Sequence, residues 1–168
     1  MDTPKIYVAC LAAYNSGFLH GEWIDVDNDL EKVQDEIQKI LALSPIKGAE
    51  EWAINDFEGF GEYRLSEYES IDHVVELAKF IAEHGELGAC LLGDYSIDDA
   101  AKILEENYLG AYDNEVDFSH YIFEECYSNA MPNNLAYYFD YVAFTRDLFM
   151  CDYFSVECNG KTHVFSSR

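Results

Sequence analysis

The segment Asp25–Glu36 contains acidic residues with the spacing of a calcium-binding loop. Asp25, Asp27 and Asp29 fit the first, third and fifth positions of such a loop, and Glu36 fits the twelfth. The sixth position needs a glycine for its sharp turn, but here it is Leu30, which belongs to a helical repeat. Acidic side chains also suit the positive N-terminal end of a helix. The pattern therefore predicts a helix N-terminus and not a metal site.

The cysteines and histidines form no local catalytic or metal-binding pattern. Cys151, Cys158 and His163 lack the paired, close spacing of a structural zinc site. A cysteine–histidine nucleophile would have to be assembled from distant positions. The sequence also lacks a phosphate-binding loop, a nucleotide-binding glycine pattern and a serine-nucleophile elbow. We therefore expect no cofactor, no metal and no enzymatic activity.

Carboxylates are concentrated in the segment Leu104–Cys126, which also contains five aromatic rings and no lysine or arginine. No basic residue other than histidine occurs between Lys102 and Arg146. A carboxylate pair for glycoside cleavage cannot be singled out among so many acids. The acidic residues of this segment are Glu105, Glu106, Asp113, Glu115, Asp117, Glu124 and Glu125.

The whole chain is also strongly acidic, because 33 acidic and 10 basic residues give a net charge of −23 on 168 residues. This excess of negative charge needs an explanation. Disorder does not explain the negative charge, since unfolded chains are poor in apolar residues and this chain is 49% hydrophobic and 15% aromatic. Two interpretations stay open: a merely solvated acidic surface, or a surface for a strongly basic partner. Grooves that bind nucleic acid are the commonest strongly basic protein surfaces.

The N-terminal segment Met1–Tyr14 lacks the basic region and cleavage site of a secretion signal. No stretch approaches the ~20 apolar residues of a membrane-spanning helix. The five cysteines are odd in number and show no pairing pattern, which is typical of reduced thiols. We therefore predict a cytoplasmic protein that binds no membrane.

The predicted fold class is α+β, as an elongated chain of three small units. In the first, residues 1–61, strands at 6–14, 21–26 and 50–58 flank a helix that begins at Asp29 and ends at Ser44–Pro45. In the second, residues 62–106, Ser70 caps a helix that stops at Gly85, and further helical segments follow.

The third predicted unit covers residues 107–168 and mixes helices with strands. A strand at 107–112 precedes a helix at 115–127, whose inner face we expect to contain Phe118, Tyr121 and Ile122. A second helix is predicted from Pro132–Asn133 to residue 150. The segment 152–167 is predicted to be a hairpin that turns at Asn159–Gly160. Because small units bury little surface, we expect this unit to form a homodimer.

Three stretches, "IYVACLAAYNSGFLHGEW", "EEWAINDFEGF" and "LAYYFDYVAFTRDL", resemble the ArdA antirestriction family in order and spacing. The first two resemble the opening of the family, and the third resembles its later signature. The positions that match this signature, and that we expect to belong to the dimer region, are Leu135, Tyr138, Asp140, Tyr141, Arg146, Asp147 and Leu148.

The resemblance implies a DNA mimic carried by plasmids and conjugative transposons. It implies an elongated, curved three-domain chain that dimerises through its C-terminal domain. The implied partner is the methyltransferase core and specificity subunit of a type I restriction–modification enzyme, whose DNA-binding groove the mimic occupies. The acidic residues of Leu104–Cys126 are then expected to belong to the mimic surface, and the protein is expected to bind no nucleic acid itself.

The alternative is an acidic interaction module for another basic DNA-binding protein. A third possibility is a hydrolase with a carboxylate pair, which would need a cleft with a raised carboxylate pKa.

Overall fold

The computed structural model describes residues 3–127, 131–132 and 135–167. Small antiparallel sheets and helices alternate along the chain, so the predicted α+β class is confirmed. The chain divides into two compact units, Met1–Ile97 and Asp98–Arg168. A further division of the first unit near residue 61 stays a prediction.

The first unit contains a three-stranded antiparallel sheet with the strand order β2-β1-β3. Asp29 caps α2 by accepting a hydrogen bond from the Lys32 backbone N–H at 3.1 Å, which confirms the predicted helix N-terminus. The elements are β1 (Lys5–Cys10), α1 (Leu11–Asn15), β2 (Gly21–Asp25), α2 (Leu30–Ala42), β3 (Trp52–Glu58) and α3 (Ile71–Leu91).

Alternation along β1 decides which residues form the core of this unit. Ile6 and Val8 are fully buried, and the paired strand β2 adds the buried Ile24. Helix α2, which contacts β1 and β2, contributes Val33 and Ile37, one helical turn apart. Buried apolar residues at every second position of the strand and every fourth position of the helix therefore form one apolar layer.

Helix α3 begins where the sequence predicts, because the Ser70 hydroxyl accepts a hydrogen bond from the His73 backbone N–H. The predicted stop at Gly85 is confirmed, because the backbone leaves the helical conformation there. Gly85 has φ 64° and ψ −151°, a conformation open to glycine but not to other residues, and helical residues resume after it as far as Leu91.

The second unit contains another three-stranded antiparallel sheet, with the strand order β4-β6-β5. The predicted hairpin is confirmed: Asn159 and Gly160 both have positive φ and join β5 to β6. The elements are α4 (Ile97–Lys102), a π-helical turn (Ile103–Asn107), β4 (Tyr108–Tyr112), α5 (Glu115–Cys126), a 3₁₀ turn (Ala136–Tyr138), α6 (Tyr141–Cys151), β5 (Tyr153–Cys158) and β6 (Lys161–Ser166).

Aromatic rings fill the core of the second unit. Phe118 of α5 is fully buried and makes edge-to-face contacts with Tyr112, Phe149 and Tyr153, at ring-centroid distances of 4.9–5.8 Å. These rings come from β4, α6 and β5, so a single phenylalanine ties three elements to α5. Buried aromatic pairs of this geometry add about 0.5–1.5 kcal/mol each beyond their area.

Several predictions about local structure are wrong. The first strand ends at Cys10, and residues 11–15 form α1 instead of continuing the strand. The predicted helix 134–150 is interrupted, since α6 begins only at Tyr141; the predicted start at Asn133 lies outside the described residues. Tyr121 is exposed, whereas Ser119 and Phe123 join Phe118 on the buried face of α5.

Cys10, Cys126 and Cys151 are free thiols, in agreement with the prediction for these three positions.

Within the described ranges of the chain, no helix has both the length and the apolar character that crossing a lipid bilayer requires. Among the same residues, no three His, Cys, Asp or Glu side chains come together in an arrangement that could hold a metal ion.

Candidate functional site

The acidic segment Leu104–Cys126 folds into three consecutive elements of the second unit: the π-helical turn, β4 and α5. Six of its seven carboxylate residues are exposed and one is half-buried. Their exposure means that the segment presents its charge to solvent or to a partner. The exposed members are Glu105 and Glu106 in the π-helical turn, Asp113 before α5, and Asp117, Glu124 and Glu125 on α5; the half-buried member is Glu115.

The start of α5 explains why acids cluster there. Asn114 caps the helix by accepting a hydrogen bond from the Asp117 backbone N–H at 2.9 Å. The Asn114 side-chain amide also donates to the Asp117 carboxylate at 3.1 Å. Glu115 and Asp117 occupy the first turn, where the helix dipole stabilises negative charge. The N-terminus of α5 therefore fixes the position of the Asp117 carboxylate.

Glu115 differs from the other acids because it is used inside the unit. Its Oε1 accepts a hydrogen bond from the Ser155 hydroxyl on β5 at 2.7 Å. Its backbone carbonyl accepts from the buried Ser119 hydroxyl at 3.0 Å. Glu115 therefore holds α5 against the sheet and is only partly available to a partner.

Asp113 forms an ion pair with Lys161 at the start of β6. The hydrogen bond from Lys161, together with its positive charge, lowers the pKa of Asp113 below its ordinary value. Both side chains are exposed, so this pair contributes little to stability. Its main effect is to offset one negative charge at this end of the surface.

Glu124 lies in the electrostatic neighbourhood of Tyr141 on α6. Desolvation raises the pKa of the Tyr141 hydroxyl, and the negative charge of Glu124 adds to the rise. The Tyr141 ring stacks on His120 of α5 with a centroid distance of 3.6 Å. It also meets Phe123 edge to face at 5.4 Å. Tyr141 therefore joins the acidic helix α5 to the signature helix α6.

Some of the other signature residues stabilise α6, and others lie exposed on its surface. Asp140 caps α6 by accepting a hydrogen bond from the Ala143 backbone N–H at 3.0 Å, and Leu148 is buried. Arg146 donates two hydrogen bonds to the adjacent Asp147, at 2.9 and 3.0 Å, and both side chains are exposed.

Leu135 and Tyr138, which precede α6, are exposed, and Tyr138 retains 85% of its surface. Their exposure leaves apolar surface next to the helix.

The structure adds an apolar face that sequence reasoning missed. Val142 and Met150 are exposed on α6, and Tyr137 precedes them in the 3₁₀ turn, also exposed. Val142, Arg146 and Met150 are four residues apart and so lie on one side of the helix. The spacing of Val142, Arg146 and Met150 was readable in the sequence, whereas the burial of Thr145 and Leu148 on the other side of the helix is a finding of the structure. We call Tyr137, Tyr138, Val142 and Met150 the α6 apolar face.

Taken together, the described side chains of the second unit offer fixed charge and exposed apolar surface. The Asp117 carboxylate is held at a helix cap and Asp113 in an ion pair, whereas the other exposed carboxylates extend from folded elements. Together they can attract a cationic surface without covalent chemistry. The α6 apolar face can be buried against another protein.

Comparison with protein families gives one finding that covers most of the chain. The sequence model of the family described as antirestriction protein (ArdA) matches residues 6–161. The match begins in β1 and ends in β6, so it includes the acidic segment and the signature helix. No curated protein matches the sequence.

Proposed function

Since this chain belongs to the ArdA antirestriction family, we propose that it blocks restriction by mimicking duplex DNA. In this proposal it occupies the DNA-binding groove of a type I restriction–modification enzyme, at the methyltransferase core and specificity subunit. It acts without catalysis and without a cofactor, in the cytoplasm, where incoming plasmid or transposon DNA needs protection.

The observation that carries the proposal is the acidic surface of the second unit. From residue 103 to residue 145 the sequence contains no lysine or arginine, and six of the seven acids of Leu104–Cys126 are exposed. A groove that binds DNA contacts phosphates largely through lysine and arginine. Carboxylates held on a folded scaffold present charge at fixed positions to these same cations.

The amount of charge also suits a DNA mimic. Duplex DNA carries one negative charge per ~1.7 Å of its axis, so the net charge of −23 corresponds to about 40 Å of duplex. A dimer would then carry roughly the charge of two turns of DNA. Two copies of this chain could each fill one half of a roughly symmetric groove.

We propose that the dimer forms through the α6 apolar face. Tyr137, Tyr138, Val142 and Met150 are exposed in the single chain, and exposed apolar side chains that lie near one another along the chain are typical of a protein interface. A second copy would bury it with the same surface on the partner. The charges of Arg146 and Asp147 lie next to this face and offset each other.

A displacement assay tests the proposal. Purified protein should release labelled duplex from a type I methyltransferase core in proportion to its concentration, and it should show no binding to duplex DNA alone, because like charges repel. Binding of the protein to DNA would refute the mimicry. If the protein instead left the methyltransferase unaffected and bound another basic DNA-binding protein, the alternative of a general acidic interaction module would replace this proposal.

A further inference from the structure

Lys161 places a positive charge inside the acidic surface of the second unit. The acidic segment Leu104–Cys126 has no lysine or arginine of its own, and Lys161 reaches it from the start of β6. Its Nζ donates a hydrogen bond to the Asp113 carboxylate. Arg146 differs, because it donates to its sequence neighbour Asp147. Lys161 therefore brings a cation from a distant part of the chain to the acids of this segment.

The pairing of three strands fixes the position of Lys161. Tyr112 lies opposite Thr162 in the antiparallel register of β4 and β6, so Asp113 and Lys161 are the next residues along the two chains. On its other side, Lys161 is paired with Cys158, the last residue of β5. The fold therefore keeps the Lys161 backbone close to the Asp113 backbone whatever conformation the lysine side chain adopts.

The Lys161 ammonium interacts with two carboxylates of the acidic segment. The hydrogen bond to Asp113 and the charge of Asp113 raise the pKa of Lys161 above its ordinary value, and the charge of Asp117 adds to the rise. On the same hairpin, the Glu157 carboxylate accepts a hydrogen bond from the Thr162 hydroxyl instead. Lys161 thus makes within the chain the kind of contact that a lysine of a DNA-binding groove would make with these two acids.

The contact between Lys161 and Asp113 is open to exchange. The Lys161 side chain is 54% exposed and the Asp113 side chain 73% exposed, and solvent-exposed ion pairs are weak. Stability therefore does not explain the pair. A cation of a partner can replace Lys161 beside Asp113, but it then has to break an existing ion pair. The released ammonium also repels the other cations of the partner.

We propose that Lys161 competes with the cations of the restriction enzyme for Asp113 and Asp117, and so lowers the affinity of the inhibitor. This inference rests on the proposed function and identifies a residue that limits its strength. Loss of the Lys161 charge should yield a stronger inhibitor. A purely structural lysine, or one that contacts the partner directly, would give a weaker inhibitor when it is replaced.

The test is displacement of labelled duplex from a type I methyltransferase core, at about 0.05 M and 0.3 M salt. Lys161→Gln should lower the concentration needed for half displacement by about twofold to fivefold at the lower salt, the range expected of one exposed ion pair. The gain should shrink at the higher salt, because screening weakens every contact between exposed charges. Lys161→Arg retains the charge and should show no gain.

Two control variants make the same change in net charge at other lysines. Lys102→Gln lies in the second unit and Lys47→Gln in the first. Both lysines are exposed, and neither forms an ion pair with any residue that the structure describes. Their replacement releases no carboxylate, so each control should gain less than Lys161→Gln.

Each possible result decides for or against this role of Lys161. A gain for Lys161→Gln that is no larger than the gain of the controls overturns the inference and leaves the proposed function intact. Weaker displacement by Lys161→Gln, with an unchanged melting temperature, also overturns it and assigns Lys161 a direct contact with the partner. If Lys161→Gln melts at a lower temperature, Lys161→Met, which keeps the aliphatic stem, provides the same test. Failure of the unchanged protein to displace DNA removes the proposed function and this inference with it.

Discussion

Replacing Glu105, Glu106 and Glu125 together by glutamine should weaken DNA displacement in a graded and salt-dependent way. All three side chains are exposed, and in the described part of the chain none forms an ion pair or a side-chain hydrogen bond, so the amides leave internal contacts intact. A solvent-facing ion pair is worth ~0–1 kcal/mol. At about 0.5 kcal/mol each, three lost contacts give about 1.5 kcal/mol, or roughly tenfold in inhibitor concentration.

The assay is displacement of labelled duplex by the three single variants and the triple variant, at about 0.05 M and 0.3 M salt. Single variants should lose about twofold at low salt and almost nothing at high salt, because the screening length shortens as salt rises. The triple variant should melt at the same temperature or slightly higher, since self-repulsion falls. One single variant that abolished displacement would refute the reasoning, because it would show an individual essential carboxylate. A tenfold loss of displacement by the triple variant that stayed constant with salt would also refute the reasoning.

Three further predictions concern the stability of the second unit. Asp140→Ala should lower the free energy of unfolding by about 1 kcal/mol through loss of the α6 cap, whereas Asp140→Asn should retain it, as thermal melting can show. Phe118→Ala should lower the free energy of unfolding by about 3–5 kcal/mol, because the Phe118 ring is fully buried among three other aromatic rings. The shift of the midpoint of urea unfolding measures this loss. Burial lowers the pKa of His163, against the opposing charge of Glu157. The unfolded chain therefore binds the proton more readily, and the contribution of His163 to stability is lost as pH falls through about 6.5. His163→Gln should reduce the difference in melting temperature between pH 7.5 and pH 5.5; an unchanged difference would contradict this assignment.

Local signals in the sequence were reliable where a single side chain decides the backbone. Asp29 and Ser70 bond to the backbone of the helices that they precede, and Asn159–Gly160 adopts the positive φ angles that a tight hairpin requires. Each of these effects involves residues within three positions of one another. They could therefore be read without knowledge of the tertiary contacts.

Where two local signals favoured different structures, the sequence alone did not predict which structure forms. Apolar periodicity continues through 134–150, but the Asp140 side chain binds the Ala143 N–H and favours a new helix start. On α5, Tyr121 has the spacing of a buried residue, yet its ring is exposed and lies 6.0 Å from Tyr112. Ser119 is buried instead, because its hydroxyl is satisfied by the Glu115 carbonyl. Tertiary packing decided these cases.

The exposure of the acidic segment could be predicted from the sequence, but the contacts of its individual residues could not. Charge and the absence of basic residues predict an exposed acidic surface on residues 104–126 without any structure. The separate role of Glu115, bonded to Ser155 forty residues away, depends on the pairing of distant elements. The pair Asp113–Lys161 likewise forms only when β4 meets β6. Sequence alone gives the number of charges, and the fold selects which of them face a partner.

Under the proposed function, competition with DNA explains why charge and apolar contacts would occur in one inhibitor. Such an inhibitor and DNA are both polyanions, so raising salt would weaken the binding of each to the same cationic groove. If carboxylates were the whole of the interaction, the inhibitor would keep no advantage over DNA as salt rises. If the α6 apolar face joins two copies as proposed, it raises the effective concentration of the second acidic unit once the first is bound. A contact that salt does not screen contributes the same factor to affinity at every salt concentration. Its loss should therefore lower the affinity for the inhibitor relative to DNA about equally at low and at high salt, whereas the loss caused by the carboxylate variants should shrink as salt rises.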